Sequence, residues 1–329
     1  MSEDSDNLIS TMDLSVIIIN WNSARYLRKC LESIYSQTKD IDFEVIVVDN
    51  ASYDGCEEII KREFAGVIFV QSDRNIGFAK ANNLGSAHSY GRKLLFLNPD
   101  TEALDSAIHV MLTAIESLPD AGAIGCKLLN SDLSLQTSCI QPFPTLLNQL
   151  LDIEYLKMRT PRLKWWGIKP LFANVGEAEE VQVISGACIM VKREVFEKVK
   201  GFSEDYFMYT EDIDLCYKIS HAGYKNYYIG KATVIHHGGG SSRSRESTFS
   251  SAAILRESVF IFLEKTRGKI VARCYKRAMM LSAAARLIIL KTLIMIIKRE
   301  SLGFALKKWE MVFRWASGLE KPVLGIPLK

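Results

Sequence analysis

The chain has 329 residues, of which 48% are hydrophobic and 24% charged, and its formal net charge is +3. This composition is that of a globular protein with a sizeable core, and it excludes a disordered or fibrous chain. Seven cysteines without paired spacing argue against a disulfide framework or a zinc knuckle, and the acidic first residues carry no secretory signal pattern. These features predict a cytoplasmic protein.

The first 125 residues alternate between short β-rich runs and apolar residues at helical spacing. The predicted strands of this part are 14–19, 43–48, 67–70 and 93–97. Such alternation indicates an α/β fold with a mostly parallel sheet covered by helices. Right-handed crossovers place the C-terminal ends of the strands along one edge, where ligands bind in sheets of this kind.

The alternating pattern weakens between about 130 and 180, where four prolines and the pair Trp165-Trp166 occur. We predict an irregular segment there that can act as a flap; the two tryptophans either contact an acceptor or membrane or pack against the body. A second ordered block follows this segment. Its predicted elements are a strand at 181–191, helices at 193–199 and 212–221, and short strands around 227–235.

Polar residues follow three of the predicted strands. They are Asn20, Trp21 and Asn22 after the first strand, Asp49 at the end of the second, and Asn98 and Asp100 after the strand at 93–97. Each one alone is an ordinary loop or helix-cap residue. Three such groups on one edge of a sheet predict a ligand crevice.

Two clusters in the sequence suit acid–base or metal chemistry. Asp100, just past a buried strand, is placed to hold a hard divalent cation against phosphate oxygens, although Asn-Pro-Asp is also a common turn. Glu211 and Asp212, with Asp214 close by, begin a predicted helix and form either a general-base site or a set of acids that interact with the helix dipole. Two histidines at residues 236 and 237 end a strand before three glycines, a favourable setting for a metal ligand.

Seven motifs occur in order between residues 14 and 242: SVIIINWNS, VIVVDNAS, NIGFAKANNLG, LFLNPDT, SGACIMVKREVF, GFSEDYFMYTEDIDLC and VIHHGGGS. Together they resemble the family-two inverting glycosyltransferases, and in particular the bacterial rhamnosyltransferase-like members. The resemblance implies the GT-A fold, in which a Rossmann-like nucleotide-binding sheet is fused to an acceptor-binding half. It also implies that the protein is an enzyme that transfers a sugar from a nucleoside-diphosphate donor.

The resemblance also implies roles for individual residues. Asp100 matches the last acid of the family's metal-binding triplet, and His236 matches the histidine that completes metal coordination in some members, with His237 as the alternative. Asn98 and Pro99 stand where many members have further acids, so Asp100 supplies the only carboxylate of this triplet. The implied cofactor is Mn²⁺ or Mg²⁺. The implied donor-binding residues are Asn20, Trp21, Asn22, Asp49, Asn75, Gly77 and Asn98, with Gly186 on the acceptor side.

By the same resemblance, Asp212 matches the catalytic base and Glu211 its usual acidic neighbour. The implied reaction is inverting transfer of rhamnose from dTDP-rhamnose, or of a hexose from a UDP-sugar, to a hydroxyl of a glycan acceptor. Such a reaction belongs to the synthesis of cell-surface polysaccharide, with an acceptor that can be polyprenyl-linked.

Basic residues are concentrated at the end of the chain. Residues 265–329 contain 15 Lys and Arg and three acids, a net charge of +12, so with +3 overall the remaining 264 residues carry −9. Arg286 and Lys291 interrupt the apolar run at 281–297, which is therefore too short to span a bilayer. On a helical wheel four basic residues fall within about 60° of one another, namely Arg273, Lys276, Lys291 and Lys298.

We predict that this basic, amphipathic helical tail lies on the anionic inner face of the cell membrane. A helix that packs on the catalytic body with its basic face in water is the alternative. Nucleic acid is the weaker partner because no binding motif accompanies the charge. The predicted organisation is a disordered acidic N-terminus (1–13), a GT-A domain (14–264) and the tail (265–329).

Other protein classes fit the sequence less well. Sugar-nucleotide pyrophosphorylases resemble one another in a glycine-rich, basic loop after the first strand, and dehydrogenases carry GxGxxG there. This chain has NWNSARYL at that place. A catalytically degenerate protein that binds a nucleotide sugar or acts as a membrane scaffold is the remaining alternative, against which the intact Asp100, Asp212 and His236 argue.

Overall fold

The computed structural model of the protein describes residues 12–150, 171, 178–238, 245–296 and 300–320. Its strands are β1 (Leu14–Asn20), β2 (Phe43–Asp49), β3 (Val67–Gln71), β4 (Lys93–Leu97), β5 (Thr101–Leu104), β6 (Ala121–Leu129), β7 (Ile140–Gln141), β8 (Ala178–Val181), β9 (Val183–Ile184), β10 (Cys188–Lys192) and β11 (Lys225–His236). Its helices are α1 (Ala24–Gln37), α2 (Cys56–Glu63), α3 (Phe78–Ala87), α4 (Ala107–Ser117), α5 (Leu146–Leu150), α6 (Arg193–Lys198), α7 (Glu211–His221), α8 (Arg245–Arg267), α9 (Lys269–Ile296) and α10 (Glu300–Ser317).

The main sheet follows the order β3-β2-β1-β4-β10-β6-β11-β5, and β8 also pairs with β11. Strands β1 to β4 run parallel to one another, so their C-terminal ends share one edge. Strand β10 lies antiparallel between β4 and β6 and joins this parallel half to the second half of the sheet. The predicted α/β fold, with a helix-covered sheet whose first half is parallel, is confirmed.

Strand β1 is buried along its whole length, which explains its unbroken apolar sequence. Because successive side chains of a strand point to opposite faces, it contributes to two cores. Val16 and Ile18 pack in the core that contains residues of α1, α2 and α4. Ile17 and Ile19 pack in the core that contains residues of α3, α6, α7 and the three last helices. The sheet is therefore covered on both faces.

Two strand predictions in the second block are wrong in detail. The region expected to be a single strand at 181–191 contains parts of three short strands: β8 pairs with β11, β9 with β7, and β10 with both β4 and β6. The chain turns at residues 185–187 between β9 and β10. The short strands expected around 227–235 are one strand, β11, whose pairing with β6 shifts register between Ile229 and Thr233. Strand β11 can therefore bridge β6 and β5 and carry its end to the edge where β4 ends.

The basic tail is helical and packs against the catalytic body. Tyr275 of α9 and Trp315 of α10 are fully buried in the second core together with Phe262 of α8. The predicted boundary between residues 264 and 265 falls within the continuous helix α8. Lys276 lies over the rings of Phe260 and Trp315, so the predicted basic stripe does not all face water.

Helix α9 is 28 residues long and, by length and composition alone, could cross a membrane, contrary to the prediction that its apolar run is too short. Only 11% of its most apolar window is buried. Several predictions concern parts of the chain outside the described residues: residues 1–11, most of the predicted flap with Trp165-Trp166, and Lys298.

Candidate active site

A cleft of about 470 Å³ opens where β1 and β4 end. Nine of the twelve predicted site residues line it: Trp21, Asn75, Gly77, Asn98, Asp100, Gly186, Glu211, Asp212 and His236. Three do not. Asn20 and Asp49 are fully buried beneath the surface, and Asn22 is exposed on the turn after β1. Strand ends, the turn at 185–187 and the start of α7 thus meet at one cleft.

Asn20 and Asp49 hold together the loops that border the cleft. The Nδ2 group of Asn20 donates to Asp49 Oδ1 at 2.8 Å and to Asp54 Oδ1 at 3.0 Å. Burial favours a raised pKa for Asp49, but hydrogen bonds from Ser52, Gln71 and Asn20 bring the pKa below its ordinary value. An ionised Asp49 therefore fixes these loops from within, and neither Asn20 nor Asp49 faces the cleft.

One group of possible metal ligands lies in this same network. Asp49, Asp54 and Cys56 offer ligand atoms within 4.8 Å of one another. The oxygens of Asp54 already accept from Asn20 and from the amide of Ala24 at the start of α1. Burial raises the pKa of the Cys56 thiol well above its ordinary value, so a thiolate ligand is disfavoured. We assign no metal to this cluster.

The loop before α3 borders the cleft and depends on Asn50, which was not among the predicted site residues. Asn50 Nδ2 donates to Asn75 Oδ1 at 3.0 Å, and Asn50 Oδ1 accepts from the amide of Ile76 at 2.9 Å. Gly77 has a φ of +83°, and a Cβ there would lie 2.6 Å from the carbonyl oxygen of Phe207. Only glycine fits that position. In the sequence, Asn50 could have been identified as a site residue because it directly follows β2, as other predicted site residues follow their strands.

Asp100, Asn98 and His236 form the polar side of the cleft at the ends of β4 and β11. His236 Nε2 lies 3.3 Å from Asp100 Oδ1 and 3.2 Å from Asn98 Nδ2. A hard cation is bound by oxygen ligands at about 2.1 Å, so two donor atoms 3.3 Å apart can reach one ion. The donor set of Asp100 and His236 therefore fits a divalent cation such as Mn²⁺ or Mg²⁺.

His237 points to different partners. Its Nε2 lies 2.7 Å from Glu102 Oε1, its Nδ1 lies 2.8 Å from Ser131 Oγ, and its ring stacks on Tyr26. His237 does not line the cleft. Of the two histidines that the sequence left open, the structure places His236 beside Asp100.

The first turn of α7 also borders the cleft. Tyr209 and Thr210 adopt left-handed backbone conformations with φ of 68° and 70°, and this turn brings Glu211 and Asp212 to the cleft. Asp212 Oδ2 accepts from the amide of Gly186 at 2.8 Å, and Asp212 Oδ1 accepts from the amide of Ile213 at 2.8 Å. Two backbone donors thus orient the carboxylate.

Glu211 and Asp212 are a coupled pair of acids in different surroundings. Burial, and then the charge of Asp212, raises the pKa of Glu211 to about 8. Burial also raises the pKa of Asp212, and the Gly186 and Ile213 amides oppose that rise. Glu211 Oε2 has no hydrogen-bond partner among the described residues, so it lacks the support that Asp212 has. Asp212 is therefore the group that ionises first, and Glu211 retains its proton near neutrality.

Asp214 has a structural role. Its carboxylate accepts from Ser203 Oγ at 2.5 Å and from Tyr206 Oη at 3.1 Å, and Lys265 Nζ of α8 lies 3.8 Å away. It does not line the cleft. Asp214 therefore holds the loop before α7 against the tail helices.

Helix α8 also reaches the cleft, which the sequence pattern did not indicate. Leu255 lines it, and Ser258 Oγ donates to the carbonyl oxygen of Met208 at 2.9 Å. Further lining residues that were not predicted are Ile19, Ser23, Asn50, Phe78, Pro99, Ser138, Gln141, Ser185, Ala187, Met208, Tyr209 and Ile213. Most are apolar or small and carried no chemical signal in the sequence.

Comparisons with known proteins agree with this arrangement. The model of the family described as Glycosyl transferase family 2 matches residues 15–200, more than half of the chain. The chain belongs to glycosyltransferase family 2. It is 29% identical over 261 residues to the N-acetylglucosaminyl-diphospho-decaprenol L-rhamnosyltransferase of Mycobacterium tuberculosis, which covers 76% of this chain and 83% of that protein.

A second relative of this glycosyltransferase is the rhamnosyltransferase WbbL of Escherichia coli, 26% identical over 238 residues, which cover 70% of this chain and 85% of WbbL. Among solved structures, the mannosyltransferase PcManGT of Pyrobaculum calidifontis, in complex with GDP-Man and Mn²⁺, matches with a TM-score of 0.59 and 17% identity. The match covers 94% of this chain and 87% of that one. The predicted GT-A fold, glycosyltransferase activity and likeness to rhamnosyltransferases are confirmed.

Proposed function

We propose that this glycosyltransferase transfers a sugar with inversion from a nucleoside-diphosphate donor to a hydroxyl of a glycan acceptor. The observation that supports this most strongly is the composition of one cleft, which Asp100, His236 and Asp212 all line. Asp100 and His236 would hold a divalent cation against the diphosphate of the donor. The carboxylate of Asp212 would take the proton from the acceptor hydroxyl.

The chain's own residues account for the proton transfer. Asp212, oriented by the amides of Gly186 and Ile213, takes the proton of the acceptor hydroxyl as its oxygen attacks the anomeric carbon. Because the pKa of Asp212 is raised, its carboxylate is a stronger base than that of an ordinary aspartate. Attack from the face opposite the leaving diphosphate inverts the configuration. A divalent cation held by Asp100 and His236, Mn²⁺ or Mg²⁺, would stabilise the negative charge on the leaving diphosphate.

The relatives support a narrower proposal for the substrates. Two are rhamnosyltransferases, and the name of the mycobacterial one specifies an acceptor in which N-acetylglucosamine is linked through a diphosphate to decaprenol. We therefore propose dTDP-rhamnose as the donor, with a UDP-hexose as the second choice, and a polyprenyl-linked glycan as the acceptor. Such a reaction places the enzyme in cell-surface glycan synthesis on the cytoplasmic side of the membrane.

An exposed apolar face on α9 supports membrane attachment. Four of its side chains fall within about 40° of one another on a helical wheel and are strongly exposed: Ile270 (76%), Leu281 (67%), Ile288 (68%) and Met295 (79%). Exposed Arg273, Arg277 and Lys291 lie within or beside this face. Because the opposite side of α9 packs in the core through Tyr275 and Met279, we propose that α9 lies in the membrane surface.

Vesicle binding tests this attachment. The double variant L281E/I288E is expected to bind vesicles of phosphatidylglycerol and phosphatidylcholine at least about 10-fold more weakly than wild type, because burying a leucine or isoleucine side chain contributes about 2 kcal/mol. Both side chains are more than half exposed, so the fold should survive. Tyr90, 68% exposed and outside the tail, provides the matched control Y90E, which should bind like wild type. Equal binding of all three proteins in a sedimentation assay would contradict the proposal.

Nucleotide binding tests the donor site directly. We expect calorimetry to show binding of one of dTDP, UDP and GDP that tightens at least about 10-fold when Mn²⁺ is added, because a bound cation neutralises diphosphate charge. Tightest binding of dTDP would support the rhamnose donor. Failure of a folded protein to bind any of the three would favour the alternative of a degenerate scaffold.

A further inference from the structure

A chain of side-chain hydrogen bonds runs from the turn after β6 to the imidazole of His236. Ser134 Oγ donates to Asp132 Oδ1 at 2.5 Å, and Asn130 Nδ2 donates to Ser134 Oγ at 2.9 Å. Gln136 Nε2 then donates to Asn130 Oδ1 at 3.0 Å. The last link joins Gln136 Oε1 to His236 Nδ1 at 2.8 Å. None of Asp132, Ser134, Asn130 and Gln136 lines the cleft.

The donor and the acceptor of each hydrogen bond in this chain follow from the ionised carboxylate of Asp132. An ionised carboxylate can only accept, and the hydrogen bond from Ser134 keeps the pKa of Asp132 below its ordinary value. The Ser134 hydroxyl must therefore donate to Asp132 and accept from an amide nitrogen of Asn130. That orientation of Asn130 presents its oxygen to Gln136, whose amide nitrogen must then donate. The oxygen of Gln136 is left to face His236, where it can only accept.

We propose that this turn, residues 130–136, fixes His236 as the tautomer that carries its proton on Nδ1. Nε2 then presents its lone pair towards Asn98, the orientation that a metal-ligating nitrogen requires. The carboxylate of Asp100, 3.3 Å from Nε2, favours a proton there, and the shorter contact of 2.8 Å between Gln136 Oε1 and Nδ1 opposes it. The Asn98 amide, whose nitrogen is 3.2 Å from Nε2, agrees with this because it can donate to an unprotonated nitrogen. Gln136 is a positioning residue in this arrangement. The inference rests on the proposed cation site for its purpose, but the tautomer is a property of the metal-free protein.

The neighbouring histidine is fixed in the opposite state. The carboxylate of Glu102 accepts from His237 Nε2, so the proton of neutral His237 lies on that nitrogen. Its Nδ1 then accepts from the hydroxyl of Ser131, which belongs to the same turn. Two consecutive histidines are thus held as opposite tautomers, His236 by the turn and His237 by Glu102 of β5 together with Ser131 of the turn. The arrangement explains why His236 rather than His237 is available beside Asp100.

Nitrogen NMR of the metal-free protein measures both tautomers directly. In alkaline buffer, once both rings are neutral, His236 should show a protonated Nδ1 and His237 a protonated Nε2. Signals are assigned with the variants H236Q and H237Q. His88 and His221, whose Nδ1 atoms lie 2.9 Å from backbone carbonyl oxygens, provide internal references for a protonated Nδ1.

Substitution of Gln136 separates positioning from a general structural role. Q136L removes the acceptor, so His236 should shift towards a protonated Nε2, and Mn²⁺ affinity measured by electron paramagnetic resonance should fall about 10- to 100-fold. Q136E loses the donor to Asn130 but keeps an acceptor for His236 Nδ1, so it should retain the tautomer and bind Mn²⁺ within about threefold of wild type. The control S131A removes the partner of His237 and should leave the His236 spectrum and Mn²⁺ affinity unchanged.

The inference is overturned if wild-type His236 carries its proton on Nε2, or if Q136L leaves both the tautomer and the Mn²⁺ affinity unchanged. Equal losses in Q136L and Q136E would also overturn it, because they would show that Gln136 only maintains the fold. The expected tautomers in a protein without sugar transfer would support this inference and contradict the proposed function, so the two can fail separately.

Discussion

The variant D212N is expected to lose sugar transfer by about 10²- to 10⁴-fold, the range that a positioned general base contributes. An amide oxygen cannot take the proton of the acceptor hydroxyl. Glu211 is a poor substitute, because burial, the largest cause of its raised pKa, persists when the charge of Asp212 is removed, and its Oε2 has no hydrogen-bond partner among the described residues. Nucleotide binding should stay near that of wild type, since Asp212 is not one of the two proposed cation ligands, Asp100 and His236. Turnover of the best donor and acceptor pair, measured beside nucleotide calorimetry, checks both expectations.

The acid side of the pH profile provides a second measurement on the wild-type enzyme. Protonated Asp212 is inactive as a base, and its raised pKa moves the loss of transfer to a higher pH than an ordinary aspartate would give. The matched control for D212N is D205N, because Asp205 is exposed and pairs only with Lys265 among the described side chains. Transfer by D212N at more than about 1% of the wild-type rate would contradict the assignment.

The variant D100N is expected to lose both metal-dependent nucleotide binding and transfer. Asparagine keeps an oxygen near His236 but removes the only carboxylate of the pair, and a bound cation contributes several kcal/mol of charge stabilisation. We therefore expect Mn²⁺ to tighten nucleotide binding less than about twofold in this variant, and transfer to fall by about 10²-fold or more. Calorimetry with and without Mn²⁺ and a turnover assay measure these effects.

Asp105 offers the control for this second prediction. It is exposed, follows β5 and has a φ of 45°, a conformation that asparagine also tolerates. D105N should therefore bind nucleotide and Mn²⁺ as wild type does. If D100N kept the full Mn²⁺ dependence, the cation site would have to lie elsewhere in the protein.

The sequence predicted the parallel half of the sheet well because its strands are buried on both faces. A short, uninterrupted apolar and β-branched run such as that of β1 is typical of a strand in the middle of a parallel sheet. The wrong prediction for residues 181–191 has a physical cause as well. The short turn at Ser185–Gly186–Ala187 lies within an apolar sequence, and local pattern does not reveal that the chain must bring the Gly186 amide to Asp212.

The candidate site was predicted where side-chain chemistry and a strand or helix end coincide, as at Asp100, Asp212 and His236. The sequence did not reveal which of the polar residues at strand ends face the cleft, because that depends on tertiary packing. Asn20 and Asp49 stand at strand ends like the other polar residues, yet their mutual hydrogen bond is buried beneath the cleft. The separate surroundings of His236 and His237 depend on a turn about 100 residues earlier in the chain, which no local pattern indicates.

Because Tyr275 and Trp315 are buried in the second core, the C-terminal helices cannot be removed without exposing that core. The second core, which α3, α6 and α7 share, is completed only by side chains beyond residue 264. A fragment that ended there would expose Phe262 and lose Lys265, the partner of Asp214 and Asp205. The catalytic half is therefore not an autonomous folding unit. Chimeras that exchange acceptor preference between relatives should carry the C-terminal helices together with the sheet against which they fold.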